Sequence, residues 1–252
     1  MKNINEHRFD QKGKIYSKAR PGYPNELFEY LREQGLISDG TVAADIGSGT
    51  GIFTVQLCTF SGKVFAVEPN DDMRTVAEEK YAGHQNIISV NGSAESTRLC
   101  DKSVDFITVA QAFHWFDRQV FKKECRRILK DGGKILLVWN DRDTDSELIR
   151  ENYEISRRFC PNFKGSSNGI DFSKDAFRDF FDGDFDVIQF RNNLIYNEDA
   201  FVARCLSSSY APKAGDEKYD EYIAKLHELF KKHGKNGVVP YPYITRCYIG
   251  TV

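Results

Sequence analysis

The chain has 252 residues, 40% of them hydrophobic and 29% charged, with a formal net charge of −2 at pH 7. Such a length and balance suit one large α/β domain, or a core with a smaller lid. The near-neutral charge argues against broad attraction to nucleic acid, which needs a basic footprint, although a local basic groove stays open.

The opening MKNINEHRFDQKGK is polar and lacks the apolar segment of a signal peptide, and no apolar run suggests a membrane span. Helical spacing starts at Pro24–Leu36, with Leu27, Phe28 and Leu31 on one face. Short β-branched or aromatic runs then predict strands at Thr41–Ile46, Lys63–Glu68, Ile87–Val90, Val104–Ala110 and Lys134–Trp139. Helices are expected between them at Ile52–Phe60, Asp71–Tyr81 and Arg118–Leu129. The last follows Asp117, a good N-cap, and its cluster Lys122, Lys123, Arg126, Arg127 and Lys130 reads as a solvated face rather than a nucleic-acid patch. Beyond Asn140 helices are expected at Ser146–Phe159, near Ala176–Phe181, at Glu198–Leu206 and at Glu217–Lys232, with strands at Asp184–Phe190 and Tyr243–Thr251. Alternating strand and helix predicts a parallel sheet covered on both faces, with the tail supplying the last two strands and inserted helices. We expect a core over residues 1–140 and, over 141–252, the remaining strands with a helical lid, all in one compact unit. Six cysteines and five histidines are dispersed without ligand spacing, which predicts reduced thiols in a cytoplasmic protein and no metal site.

The sharpest signal is Val42–Gly51, a strand running into Gly47, Gly49 and Gly51 ahead of a helix. Glycine there permits a tight turn and lets a ligand approach the backbone closely. The spacing is GxGxG, not the GxGxxG that receives a pyrophosphate at a helix end. Asp45 just before the loop would repel a pyrophosphate and welcome a cationic ligand, such as a methionyl ammonium and sulfonium. Glu68 ends the second strand 23 residues later, where a carboxylate can accept both hydroxyls of a ribose.

ADIGSGTG followed by FAVEPN resembles the first two motifs of class I S-adenosylmethionine (SAM)-dependent methyltransferases. The resemblance continues in NGSAEST (Asn91–Thr97), VDFITVAQAFHWFD (Val104–Asp117) and GGKILLVWN (Gly132–Asn140), and covers roughly the first 140 residues. YSKARPGYP (Tyr16–Pro24) and QAFHWF look most like the branch containing trans-aconitate methyltransferases and relatives acting on small molecules. The resemblance implies a Rossmann-like, seven-stranded, mostly parallel sheet with the last strand antiparallel. It implies SAM as cofactor, with Asp45, Gly47 and Gly49 at the methionyl moiety and Glu68 on the ribose. Asn70 and Met73 would border the adenine, Ser93 and Ala94 would meet its edge, and Gln111 would sit beside the cofactor's amino-acid end. Tyr16 and Arg20 would close over the site, with Arg20 on the SAM carboxylate. The family usually has aspartate at the position of Ser93, so Glu95 or simple packing would have to hold the adenine amino group.

Methyl transfer from a sulfonium is an in-line displacement, so the protein has to align the groups and exclude water. His114, after the fourth strand, is the candidate general base or acceptor-positioning group. Arg20, Arg204 and Arg246 could anchor an acidic acceptor, although a lid or surface salt bridge is the simpler reading of the last two. The expected partner is a small methyl acceptor, with a carboxylic acid as the suggestive class. The alternatives are methylation of RNA or protein, and a nicotinamide-dependent oxidoreductase. Adenine-N6 and cytosine-C5 chemistry are excluded: Ala110-Gln111-Ala112-Phe113 stands where Asn/Asp-Pro-Pro-aromatic is required, and no Pro-Cys occurs.

Overall fold

The computed structural model describes residues 21–165, 169–208 and 210–252. Seven strands form one sheet: β1 (Val42–Ile46), β2 (Lys63–Val67), β3 (Ile87–Val90), β4 (Val104–Ala110), β5 (Leu129–Arg142), β6 (Asp186–Tyr196) and β7 (Val239–Gly250). Their order is β3-β2-β1-β4-β5-β7-β6. The first five are mutually parallel, and β7 runs antiparallel to both β5 and β6. This is the expected Rossmann-like architecture.

Helices α1 (Asn25–Glu33) and α2 (Ile52–Cys58) cover one face, burying Leu27, Phe28, Leu31, Phe53 and Leu57 against Ala43, Val64, Phe106 and Leu136. On the other face α4 (Arg118–Ile128) buries Phe121, Cys125 and Ile128 with Phe177, Phe180 and Trp139. Between them in sequence, α3 (Asp71–Tyr81) is capped by Asn70, whose Oδ1 accepts from the Met73 N–H at 3.0 Å. A third apolar cluster is separate. It joins α5 (Glu147–Phe159), α6 (Glu198–Leu206) and α7 (Tyr219–His233) to Val239, Tyr241 and Tyr243 at the start of β7.

Three boundaries depart from the periodicity. Lys174–Phe177 forms one 3-10 turn where a helix over Ala176–Phe181 was expected; Phe177, Phe180 and Phe181 are all drawn into the core just ahead of Gly183. β5 starts early, at Leu129, because Asp131-Gly132-Gly133 bulges out at the register shift between Val104 and Phe106. β6 and β7 are longer than expected because Pro240 and Pro242 lie inside β7, which reads as non-strand in sequence. Pro242 pairs with Asn193 of β6 but lies past Tyr243, the last β7 residue opposite β5. The missing proline N–H groups therefore remove no bond between β5 and β7.

The basic face of α4 is matched by acids. Asp182 pairs with Lys122 and Arg126, Asp105 with Lys130, and Asp101 with Arg127. Among the described residues no helix is long and apolar enough to cross a membrane, and no His, Cys, Asp and Glu group could hold a metal.

Arg127 also grips Glu124, which accepts from the Thr97 N–H at 2.8 Å and its hydroxyl at 2.6 Å, clipping the segment after β3 onto α4. Burial alone would raise the Glu124 carboxyl, but the Arg127 and Thr97 bonds outweigh it and hold it down at about 2. The folded value lies below the ordinary 4.5, so this clip contributes fully above that pH and is lost as pH falls toward 2. In Glu124→Gln the acid limb of stability should flatten, and the Thr97 amide should exchange faster by hydrogen exchange at neutral pH.

Candidate active site

A cleft opens at the carboxyl ends of the parallel strands. The sheet order reverses between β1 and β4, which is where open α/β sheets bind ligands. Gly47, Gly49 and Gly51 follow β1 with φ of 70°, 56° and 76°, a left-handed backbone that favours glycine. A Cβ at Gly47 would stand 2.7 Å from the Ala112 Cβ, and one at Gly51 would stand 2.6 Å from the Tyr81 ring. Nothing lies within 4 Å of a Cβ at Gly49, so the loop there faces open cleft. The loop is fixed from β2: the N–H groups of Gly47 and Ser48 both donate to the Val67 carbonyl, at 2.8 and 3.1 Å.

Glu68 completes that attachment. Its Oε2 accepts from the Gly49 N–H and its Oε1 from the Asn70 N–H, each at 2.9 Å. The residue is 8% exposed, less than a free ribose acceptor would be, yet it lines the cleft. Burial raises its pKa, opposed by those two N–H groups and by Arg74. A carboxylate offers about four lone-pair sites, so two remain for hydroxyls.

Met73, Ser93, Ala94 and Glu95 line the same end of the cleft as Glu68 and Asn70. Glu95 Oε1 accepts from the Asp117 N–H at 3.0 Å, so part of its capacity is already used. Gln111 ends β4 with φ 60°, an uncommon conformation for a non-glycine residue, and its Nε2 donates to the Asn140 carbonyl at 3.1 Å. Trp115 and Phe116 form the aromatic wall.

Two sequence-derived candidates stand elsewhere. Asp45 is fully buried and is not on the cleft wall: strand alternation turns it with Ala43 toward α2, where the Thr54 and Thr108 hydroxyls donate to its two oxygens at 2.6 and 2.9 Å. These bonds tie Asp45 to α2 and β4 at the start of the glycine loop. His114 is also off the wall, because the 3-10 turn Phe113–Trp115 presents Trp115 to the cleft and leaves the imidazole tilted at 45° against that indole, centroids 4.4 Å apart. Tyr16 and Arg20 lie outside the described residues.

Asn140 and Tyr243 line the cleft without having been singled out in the sequence, whereas Arg204 was a candidate acceptor anchor. The far end is Asn140 on β5, Arg204 on α6 and Tyr243 on β7. Asn140 Nδ2 and Asn192 Nδ2 both donate to the Gly22 carbonyl, at 3.0 and 2.9 Å, while the Thr245 hydroxyl donates to Asn140 Oδ1 at 2.6 Å. Gln56 holds the next residue at both ends, accepting from the Tyr23 N–H at 2.8 Å and donating to its carbonyl at 2.7 Å. Arg204 makes no salt bridge among the described residues, against expectation. Arg246 pairs with Asp141 at 3.6 Å and lies outside the cleft.

The Rossmann-like sheet, with a glycine loop after β1 and an acid after β2, is the arrangement that the sequence resemblance implies. Residues 44–137 match the family model described as "Methyltransferase domain". Among curated relatives, an uncharacterized methyltransferase-like protein of Schizosaccharomyces pombe is 35% identical over 145 residues, 57% of this chain and 56% of the relative. An uncharacterized methyltransferase of Mycobacterium tuberculosis is 37% identical over 143 residues, with the same two shares. The chain thus spans a little over half the length of the curated relatives it matches. Among solved structures, a candidate type II methyltransferase from Anaeromyxobacter dehalogenans superposes with TM-score 0.69 at 22% identity, covering 92% of this chain and 97% of that one. A second candidate methyltransferase, from an antibiotic biosynthesis pathway of Anabaena variabilis, gives 0.61 at 20%, covering 91% and 98%. At these identities the neighbours establish the fold. The domain match leaves the nicotinamide alternative without support.

The pH behaviour of Asp45 follows from its burial. Desolvation pushes its carboxyl up from 3.8 to about 6, against the downward pull of the Thr54 and Thr108 hydroxyls. The folded state therefore holds the extra proton between those values, and stability falls as pH rises through that window. Asp45→Asn should remove this dependence: in denaturant melts at about pH 4 and about pH 7, wild type should lose up to roughly 3 kcal/mol more than the variant.

Proposed function

We propose that this protein transfers a methyl group from SAM to a small-molecule acceptor, with O-methylation of a carboxylic acid as the reaction. One observation carries the small-molecule reading. The cleft end farthest from Glu68 is walled by buried side chains, Arg204 5% and Tyr243 2% exposed, which favours a compact acceptor over a polymer strand. Among the described residues, Lys122, Arg126, Arg127 and Lys130 are ion-paired, which argues against a free basic stripe for RNA.

The described residues suit SAM. Glu68 would take the ribose hydroxyls with its remaining lone pairs, Gly49 leaves its backbone open to close approach, and Met73, Ser93 and Ala94 would flank the adenine. Gly47 and Gln111 would border the methionyl end, and Trp115 and Phe116 would face the sulfonium, where aromatic faces add about 0.5–2 kcal/mol. When bound, SAM supplies the methyl group and a neutral thioether as leaving group. The chain's own task is to align the acceptor and keep water out, with the helices of residues 141–252 acting as the cover.

A carboxylate already carries the attacking lone pair, so no protein base has to remove a proton. That agrees with His114 standing off the wall. In this reading His114→Ala should cost less than the roughly 100-fold or more that a general base supplies. Glu68→Ala should weaken affinity for S-adenosylhomocysteine (SAH) about tenfold or more in calorimetry, measured per folded molecule. The deciding assay is radiolabelled methyl transfer against a metabolite panel. Base-labile methyl esters formed from carboxylic acids support the proposal; label appearing only in added RNA or protein refutes it.

A further inference from the structure

We propose that Lys80 is a positioning residue for the methyl donor: from the last turn of α3 it locks the Thr50–Gly51 peptide and so sets the shape of the glycine loop. This rests on the SAM reading and deepens its donor end. The Lys80 Nζ donates to the Thr50 carbonyl at 2.7 Å, across 30 residues of sequence. At the other end of the same peptide, the Gly51 N–H donates to the Ser48 carbonyl at 3.0 Å. A trans peptide points its C=O and N–H in opposite directions, so the two bonds hold it from both sides. Thr50 itself lines the cleft, between the left-handed Gly49 and Gly51.

The loop needs such a lock. Glycine takes φ of either sign at similar cost, so a peptide beside Gly51 can rotate and exchange the directions of its C=O and N–H. Nothing lies within 4 Å of a Cβ at Gly49, so packing there does not oppose the change. Tyr81, the next residue of α3, closes the room at Gly51, where a Cβ would stand 2.6 Å from its ring. Two consecutive residues of one helix thus hold two consecutive residues of the loop, one by a charge-assisted bond and one by contact.

The setting of Lys80 favours positioning over stability. It is half-buried and pairs with no carboxylate among the described residues. Burial pushes its pKa below the ordinary 10.5. The carbonyl it holds precedes α2, so the ammonium also stands at the positive end of a helix, where a cation is unfavourable. Both effects oppose folding. What the residue contributes is a loop carbonyl fixed in one direction.

The other end of α3 belongs to the opposite part of the cleft. Met73 lines the wall there, and Arg74 donates to the Glu68 carbonyl at 3.1 Å. The helix has 11 residues, about 16 Å at 1.5 Å each, so one rigid rod registers the loop against the ribose end. Losing the Lys80 ammonium frees the loop while Met73 and Arg74 stay in place. The damage should therefore fall on the half of the donor that the loop meets, its methionyl end.

The test uses the full chain, with calorimetry, thermal melts and amide hydrogen exchange. The probes are SAH and methylthioadenosine, which keeps the adenine and ribose but lacks the amino-acid end. Lys80→Met should weaken SAH about tenfold and leave methylthioadenosine nearly unchanged. Its Gly51 amide should exchange faster than in wild type, and its melting temperature without ligand should not fall. Lys80→Arg keeps a cationic donor and should recover part of the SAH affinity. Unchanged SAH binding by Lys80→Met overturns the proposal, as does an equal loss for both probes, which would place the effect on the ribose end. Melting collapse in both the Met and Arg variants would make Lys80 structural and overturn it too. Hydrogen exchange needs no ligand, so it separates this inference from the reading beneath it. Faster Gly51 exchange in Lys80→Met, with a wild type that binds no SAH, would keep the lock and remove the SAM reading; SAH binding with unchanged exchange would do the reverse.

Discussion

Between β1 and β4 the chain reverses the direction in which it adds strands, and the loops leaving those two strands are forced apart. β1 is flanked by β2 on one side and β4 on the other, so the turn after it bends one way while the segment after β4 bends the other. The space between them cannot be closed by the sheet itself. Every functional side chain described above is placed by that geometric fact. The glycine loop follows β1, Glu68 follows β2, Gln111 follows β4 and Asn140 lies near the end of β5. The attachments of Gly47, Ser48 and Gly49 to Val67 and Glu68 then keep the loop of β1 registered on the end of β2.

On the opposite side of the crevice, a polar knot sets the position of what covers it. Asn140 on β5 and Asn192 on β6 converge on the Gly22 carbonyl just ahead of α1, and Thr245 on β7 holds Asn140 through its side-chain oxygen. Three strands of the carboxyl-terminal half therefore fix the point where the leading segment enters the core. Asn140 and Thr245 are nearly inaccessible to water, so their hydrogen bonds have no solvent substitute. Gln56 repeats the attachment one residue on, from α2.

Strands β1 to β4, helices α1 to α4 and the glycine loop were legible because period and turn chemistry are local properties. Glu68 was legible as an acid at a strand end, but not as the acceptor for Gly49, which lies 19 residues back in sequence. The setting of Asp45 was hidden for a related reason. The acid looked aimed at a ligand because its two threonine partners, nine and 63 residues away, are visible only once the sheet is assembled. Arg204 looked like a lid salt bridge, since nothing in a one-dimensional reading shows that tyrosines surround it. The prolines of β7 hid the first half of that strand, because whether a missing N–H matters depends on which neighbour is present there.

That first half of β7 has a consequence for how such a chain can diverge. Val239–Tyr243 reach past the end of β5 and carry the aromatic floor on which α5, α6 and α7 pack, as a cluster distinct from the two that sandwich the sheet. The apolar side chains of these helices pack within their own cluster, apart from the two that sandwich the sheet. On the proposed function, acceptor preference can drift in that cluster, apart from the strands that carry the glycine loop and Glu68. A lineage with this layout can acquire new substrates by rewriting one removable cap, as an instrument takes a new head on an old handle.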